Sequence, residues 1–132
     1  MRQIILIIAL LLVGLVNFAP LAGLFFPERM ETLYGITIST PDLELLMRHR
    51  ALLFGLVGGL VLISAFRPRL QPAALVLASI SMIGFIVLDG VIGGTNEAIA
   101  QVVRIDLWAL APLAVAIYLR CPLGRSVKAP TP

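Results

Sequence analysis

The sequence predicts an all-α bundle of four membrane-spanning helices, and three observations carry that reading. Of 132 residues, 60% are hydrophobic and 13% charged, against about 45–50% and about 25% in a typical soluble domain. The apolar residues fall in four long runs, at 4–26, 51–66, 73–92 and 98–119, and all seven acidic residues lie in alternate connections or the helix ends beside them. A soluble fold of this size buries only roughly two-thirds of the surface its chain exposes, too little to hide so much apolar area. Mean hydropathy is +1.05. Disorder, a disulfide scaffold and an ordinary soluble enzyme are thereby excluded. In hydrocarbon only helices and closed barrels satisfy their own backbone, and continuous apolar runs specify helices.

The first span, 4–26, follows Met1-Arg2 and is interrupted by Asn17 and Pro20. It imitates a secretory leader, but cleavage needs small residues one and three positions before the cut. Ala19 is matched by Asn17 and Ala22 by Pro20, so the span is expected to stay attached. Next, Pro27 to Gly35 has a proline start, acids in its first turn and a glycine stop. These features predict a short helix lying along the outer interface, with Met30, Leu33 and Tyr34 facing lipid or bundle.

About 20 residues are needed to cross the hydrocarbon, so the second run is short by itself. Pro41 at a first-turn position, capped by Ser39 or Thr40, extends that helix to 42–66. Glu44 and Arg48 then stand one turn apart in the favourable order. Arg67 to Pro72 is a tight polar turn leading to a third span at 72–92. A glycine-rich loop follows, and Thr95 or Asn96 caps a fourth span at 97–119. Residues 1–120 form one domain without internal repeat, and 121–132 read as a polar, disordered cytoplasmic tail. Ala51, Gly55 and Gly59 on the second span, and Ala74 and Ala78 on the third, recur every four residues and let helices approach closely, within one chain or between copies.

The arginines set orientation. With Met1 inside, Arg2, Arg67, Arg69, Arg120, Arg125 and Lys128 are cytoplasmic, while Arg29, Arg48, Arg50 and Arg104 are outer. The positive-inside rule thus places both termini in the cytoplasm. The net charge of +3 serves topology, because no basic run interleaved with aromatics offers a nucleic-acid surface. Cys121 is the single cysteine, so no intramolecular disulfide or dithiol centre exists. It reads as an inert interfacial thiol or, in a eukaryote, a palmitoylation site.

Charge within the membrane is costly and marks sites. Glu97, Gln101, Arg104 and Trp108 share one face of the fourth span, a polar stripe running inward from the outer surface. Asp106 points nearly the opposite way and needs a partner, Arg48 or Arg50. Arg48-His49-Arg50 cannot all face lipid, because successive residues project about 100° apart. Snorkelling to headgroups is the default for such arginines, and at least one of the three is expected to face the bundle. His49 is the only histidine, able to titrate near neutral pH. Asp89 lies at the same depth. Asn17 can satisfy backbone freed by Pro20 or bond across helices. The spacing of these residues matches no metal-ligand pattern. P-loop, dinucleotide-binding, nucleophile-elbow and HExxH motifs are absent as well, and no cofactor is expected.

Asn17, Phe25-Phe26-Pro27, Leu33-Tyr34-Gly35, Asp42-Leu43, Met47-Arg48-His49-Arg50, Gly55 and Ala65-Phe66-Arg67-Pro68 resemble a group of small bacterial four-helix inner-membrane proteins. The plan is more distantly similar to the DoxX-like four-helix proteins. The likeness continues through Arg104 and Asp106. It implies a multi-pass bundle in the bacterial inner membrane and no established activity. Members often bear the name phosphopantetheine adenylyltransferase. That soluble nucleotidyltransferase uses a His-x-Gly-His site, whereas here His49 is followed by Arg50 and Ala51.

Two functional classes remain. In one, an outer pocket binds or moves a small anionic or amphipathic ligand. Arg48, Arg50 and Arg104 would hold an acidic group, and His49 and Asp106 would hydrogen-bond or move a proton. In the other, the chain is an accessory or assembly subunit, a homo-oligomer or the partner of another membrane protein, and its charges are structural. The convergence of ionisable groups at one depth favours binding.

Overall fold

The computed structural model describes residues 1–120; the expectations for Cys121 and for the tail at 121–132 lie outside the described residues. The chain forms α1 (Arg2–Phe18), α2 (Pro27–Tyr34), α3 (Pro41–Ser64), α4 (Gln71–Ile92) and α5 (Glu97–Arg120). Short 3₁₀ segments at Ala19–Leu24 and Pro68–Leu70 extend α1 and introduce α4. No strand occurs among the described residues.

Four of these units are long and apolar enough to cross a membrane: Arg2–Leu24, Pro41–Ser64, Pro68–Ile92 and Glu97–Arg120. The expected first span is corrected at both ends. Regular helix begins at Arg2 and stops at Phe18, and a 3₁₀ segment carries the chain through Pro20 to Leu24. Proline supplies no N–H to the ladder, so the tighter winding starts around it. The second span ends at Ser64 instead of residue 66, because the chain turns toward Pro68 and the residue before a proline avoids the helical region.

Local chemistry fixes the other ends. The Thr40 hydroxyl accepts from the Leu43 N–H at 3.2 Å, and Pro41 takes the first turn of α3. The Asn96 carboxamide oxygen accepts from the Ile99 N–H at 2.9 Å. Both are N-caps, each satisfying a donor that the first helical turn leaves free. Gly35 stops α2 in the left-handed conformation, at φ 60°, which costs glycine least.

In the bundle α1 packs beside α3 and α5, and α4 closes the ring against the same two helices. The interior is built from small residues. Ala9, Ala74, Ala78, Ala109 and Ala116 are buried together with Leu10, Val13, Val61 and Leu113, and Ala51 is buried with Met30 and Tyr34. Large side chains such as Ile4, Leu56, Ile80 and Val91 project outward. This distribution suits lipid as the surrounding solvent, where association depends on close packing and not on expelling water. The chain is a multi-pass membrane protein.

The small-residue face of α3 is corrected by one position. Ala51 and Gly55 are buried as expected, but Gly58, not Gly59, makes the closest approach. A Cβ built on Gly58 would stand 2.7 Å from Phe18 Cα and 2.8 Å from the Asn17 carbonyl carbon. Backbone meets backbone there.

The even number of spans returns the chain to its starting end. Arg2 Nη2 donates to the Leu119 carbonyl at 2.8 Å, which joins the first turn of α1 to the last turn of α5. Helix α2 covers the opposite end, packed on the 3₁₀ segment and α5, with Met30 and Tyr34 buried beneath it.

Candidate functional site

Under α2 the helices separate around a cavity of about 320 Å³. Asn17 and Pro20 line it from the first span and Tyr34 from α2. Arg50 and Phe54 come from α3, Phe85 from α4, and Ile105 and Asp106 from α5. The space arises where Pro20 breaks the regular winding of the first span. Leu15, Leu33 and Ile105 border the cavity and are themselves exposed, so it opens past them to the surroundings.

Arg50 dominates the wall. Its guanidinium carbon lies 5.1 Å from the ring centre of Tyr34, 5.3 Å from Phe54 and 4.9 Å from Phe85. Aromatic faces attract a cation within about 6 Å, and Phe54 follows Arg50 by one helical turn. Asp106 faces the same space from α5. Among the described residues, neither Arg50 nor Asp106 enters an ion pair. Their charges attract each other across the cavity without touching.

Tyr34 is 3% exposed. Burial pushes its phenol above the ordinary value of 10.0; nearby Arg50 pulls it down and the Asp106 charge pushes it up. Asn17 is equally buried and donates from Nδ2 to the Val13 carbonyl at 3.0 Å. It serves the backbone of its own helix while bordering the cavity.

The polar stripe of α5 is corrected. Glu97, Gln101, Arg104 and Trp108 do share a face, but that face points away from the bundle; Trp108 is 81% exposed. Arg104 Nη2 meets Glu97 Oε1 at 2.6 Å. Two turns apart on one helix, these groups satisfy each other without help from the bundle. Their exposure lets the long arginine lie along the helix toward its end.

Three further candidates stand outside the cavity. Arg48 Nη1 donates to the Leu24 carbonyl at 3.0 Å and its Nη2 meets Glu44 Oε1 at 2.7 Å. That clamps the end of the 3₁₀ segment to α3, and Arg50 alone of the two arginines faces Asp106. His49 is exposed on the outer surface of α3. Asp89 Oδ1 accepts from the Thr95 hydroxyl at 2.6 Å and closes the glycine-rich loop. Among the described residues no three His, Cys, Asp or Glu side chains converge as metal ligands.

Of the expected candidates, the structure brings together Asn17, Arg50 and Asp106, and adds Tyr34, Phe54 and Phe85. The i, i+4 spacing of Arg50 and Phe54 was a sequence signal for one of these; Phe85 had none. Comparison with protein-family models, with curated proteins and with solved structures found no match.

Proposed function

We propose that this protein binds a small amphipathic ligand carrying an acidic group in the cavity beneath α2. One observation carries the reading. An arginine and an aspartate face a single space within an apolar bundle, and neither is joined to a counter-charge. Charge held in a low-dielectric site at this cost points to function. A ligand acid group on Arg50, with a hydroxyl or amine beside it on Asp106, would complete both. Guanidinium suits the acid because its planar donors match carboxylate or phosphate in pairs. Phe54, Phe85 and Ile105 offer the apolar surface for the rest of the ligand, as pocket walls commonly do. The exposed Leu15, Leu33 and Ile105 at its border would let such a ligand pass between the cavity and its surroundings.

The bacterial inner membrane, with both termini cytoplasmic and α2 periplasmic, is part of the same proposal. It is supported by the arginine bias and by the resemblance to small bacterial four-helix proteins.

Native mass spectrometry of protein released from mild detergent tests the binding. Wild type and Arg104→Ala should carry the same defined extra mass, and Arg50→Gln should lose it while keeping its helical circular dichroism. A bare wild-type ion, or an adduct retained by Arg50→Gln, would overturn the reading.

A second reading rests on the outward face of α5. Glu97, Arg104 and Trp108 place an ion pair and a large aromatic on the surface of a lipid-embedded helix. Such a face suits contact with another membrane protein or a second copy of this chain. A homo-oligomer or co-purified subunit in the same spectra, lost in Trp108→Ala, would favour it.

A further inference from the structure

The end of the bundle opposite α2 carries charge of one sign. Arg2, Arg67, Arg69 and Arg120 gather there from α1, the α3–α4 turn and α5. The acidic side chains all lie between Glu28 and Asp106 in sequence, toward the α2 end. Among the described residues, none of these four arginines enters an ion pair. Beyond Arg120 the sequence adds Arg125 and Lys128 and no Asp or Glu.

Two cavities meet at this end. One, of about 570 Å³, is bordered by Arg2, Phe66, Gln71 and Arg120. The bond from Arg2 to Leu119 holds its guanidinium beside the last turn of α5, and a guanidinium has further donors to offer. Gln71 is held by its own bond to the Ser64 carbonyl at 3.2 Å. The second cavity, of about 530 Å³, is an apolar groove between α4 and α5 lined by Val76, Ser79, Ile80 and Ile117. Arg120 borders both. Charge alone would do no more than orient the chain. A basic pocket that adjoins a lipid-facing apolar groove has the shape of a headgroup joined to its acyl chain.

We propose that this end binds an anionic phospholipid, its phosphate against Arg2 and Arg120 and one acyl chain along the α4–α5 groove. The site is separate from the cavity of Arg50 and does not depend on that reading. Each arginine near an anionic headgroup contributes roughly fivefold in affinity, so the pair gives about 25-fold selectivity over a zwitterionic lipid with the same chains.

The test is native mass spectrometry of delipidated protein offered equal amounts of dioleoyl phosphatidylglycerol and dioleoyl phosphatidylcholine. Wild type should retain one phosphatidylglycerol with that preference, and the double variant Arg2→Gln/Arg120→Gln should lose the preference. Val76→Trp, which fills the groove from an exposed position, should weaken dioleoyl phosphatidylglycerol and leave a dihexanoyl analogue unaffected; it decides the matter should the double variant not fold. Equal retention of the two lipids by wild type would overturn the proposal, as would an undiminished preference in the double variant. Displacement of the lipid by millimolar inorganic phosphate would also overturn it, since a free anion would then suffice.

Discussion

The Asn96 side-chain amide donates to the carbonyl oxygen of Tyr34 at 2.9 Å, tying the last residue of α2 to the N-terminus of α5. The same nitrogen reaches the Gly35 carbonyl at 3.0 Å, while the side-chain oxygen caps α5 through the Ile99 N–H. One residue thereby starts the fourth span and holds the helix whose Tyr34 packs on Arg50. Asn96→Ala removes both functions. A lost N-cap costs about 1 kcal/mol and the freed carbonyls add a comparable amount, so the expected loss is about 2 kcal/mol. Thermal unfolding in detergent should show it, with faster hydrogen exchange in Pro27–Tyr34. Unchanged exchange there would mean that α2 is held by its buried Met30 and Tyr34 alone.

Gly58 and Gly59 are adjacent and should respond in opposite ways to the same substitution. At Gly58 a Cβ runs into the backbone of Asn17 and Phe18, which cannot rotate aside. At Gly59 its nearest neighbour is Phe18 Cε2 at 3.8 Å, an ordinary contact. Gly58→Ala should separate α1 from α3 and cost about 1–3 kcal/mol. Gly59→Ala should be neutral or stabilise by up to about 1 kcal/mol through helix propensity. Paired melting curves decide it, and equal effects would contradict this helix contact.

The four spans, the interfacial helix and the capping residues were legible because each follows from local chemistry. Hydropathy runs, Pro41 after Thr40, Asn96 before Glu97 and Gly35 after Tyr34 need no knowledge of distant neighbours. That the longer polar stripe of α5 stays outside the bundle was not legible. Arg104 and Asp106 stand two positions apart, so the sequence places them on opposite faces and turns Asp106 toward an arginine of α3. Glu97 and Arg104 neutralise each other along their own helix, whereas Asp106 has no acceptable partner there and must look to α3. Phe85 was invisible for a different reason: an aromatic in an apolar run is marked as functional only by the cation it faces.

Tyr34 gives a pH dependence. Its phenol is raised above 10.0 in the folded protein, chiefly by burial. Between the unfolded and folded values the native chain holds a proton that the unfolded chain has released, so stability falls as pH rises. The stabilisation is complete below about pH 10 and lost progressively as pH climbs from there through the raised folded value. Tyr34→Phe should flatten that alkaline decline in the melting temperature relative to wild type. An identical slope in both proteins would place the alkaline transition on another group.

Arg48 and Arg50, two residues apart on α3, should separate stability from binding. Arg48 bonds to the Leu24 carbonyl and to Glu44, and its buried Nε has no partner; its work is to fasten the 3₁₀ segment. Arg48→Ala should lose about 1–2 kcal/mol, since the half-buried Leu24 carbonyl is left without its charged donor. Retention of the bound ligand should survive in the protein that remains folded. Arg50 lacks an ion pair and rests against three aromatic rings, so Arg50→Gln should change the melting temperature less. Binding should fall at least tenfold there, because hydrogen bonds to charged groups are worth about 1.5–3 kcal/mol and each 1.4 kcal/mol is tenfold. The two measurements, unfolding and ligand retention on the same samples, should therefore rank the variants in opposite orders. The same order in both would mean that Arg50 acts only by packing, and that the cavity is a consequence of the break at Pro20 with no ligand of its own.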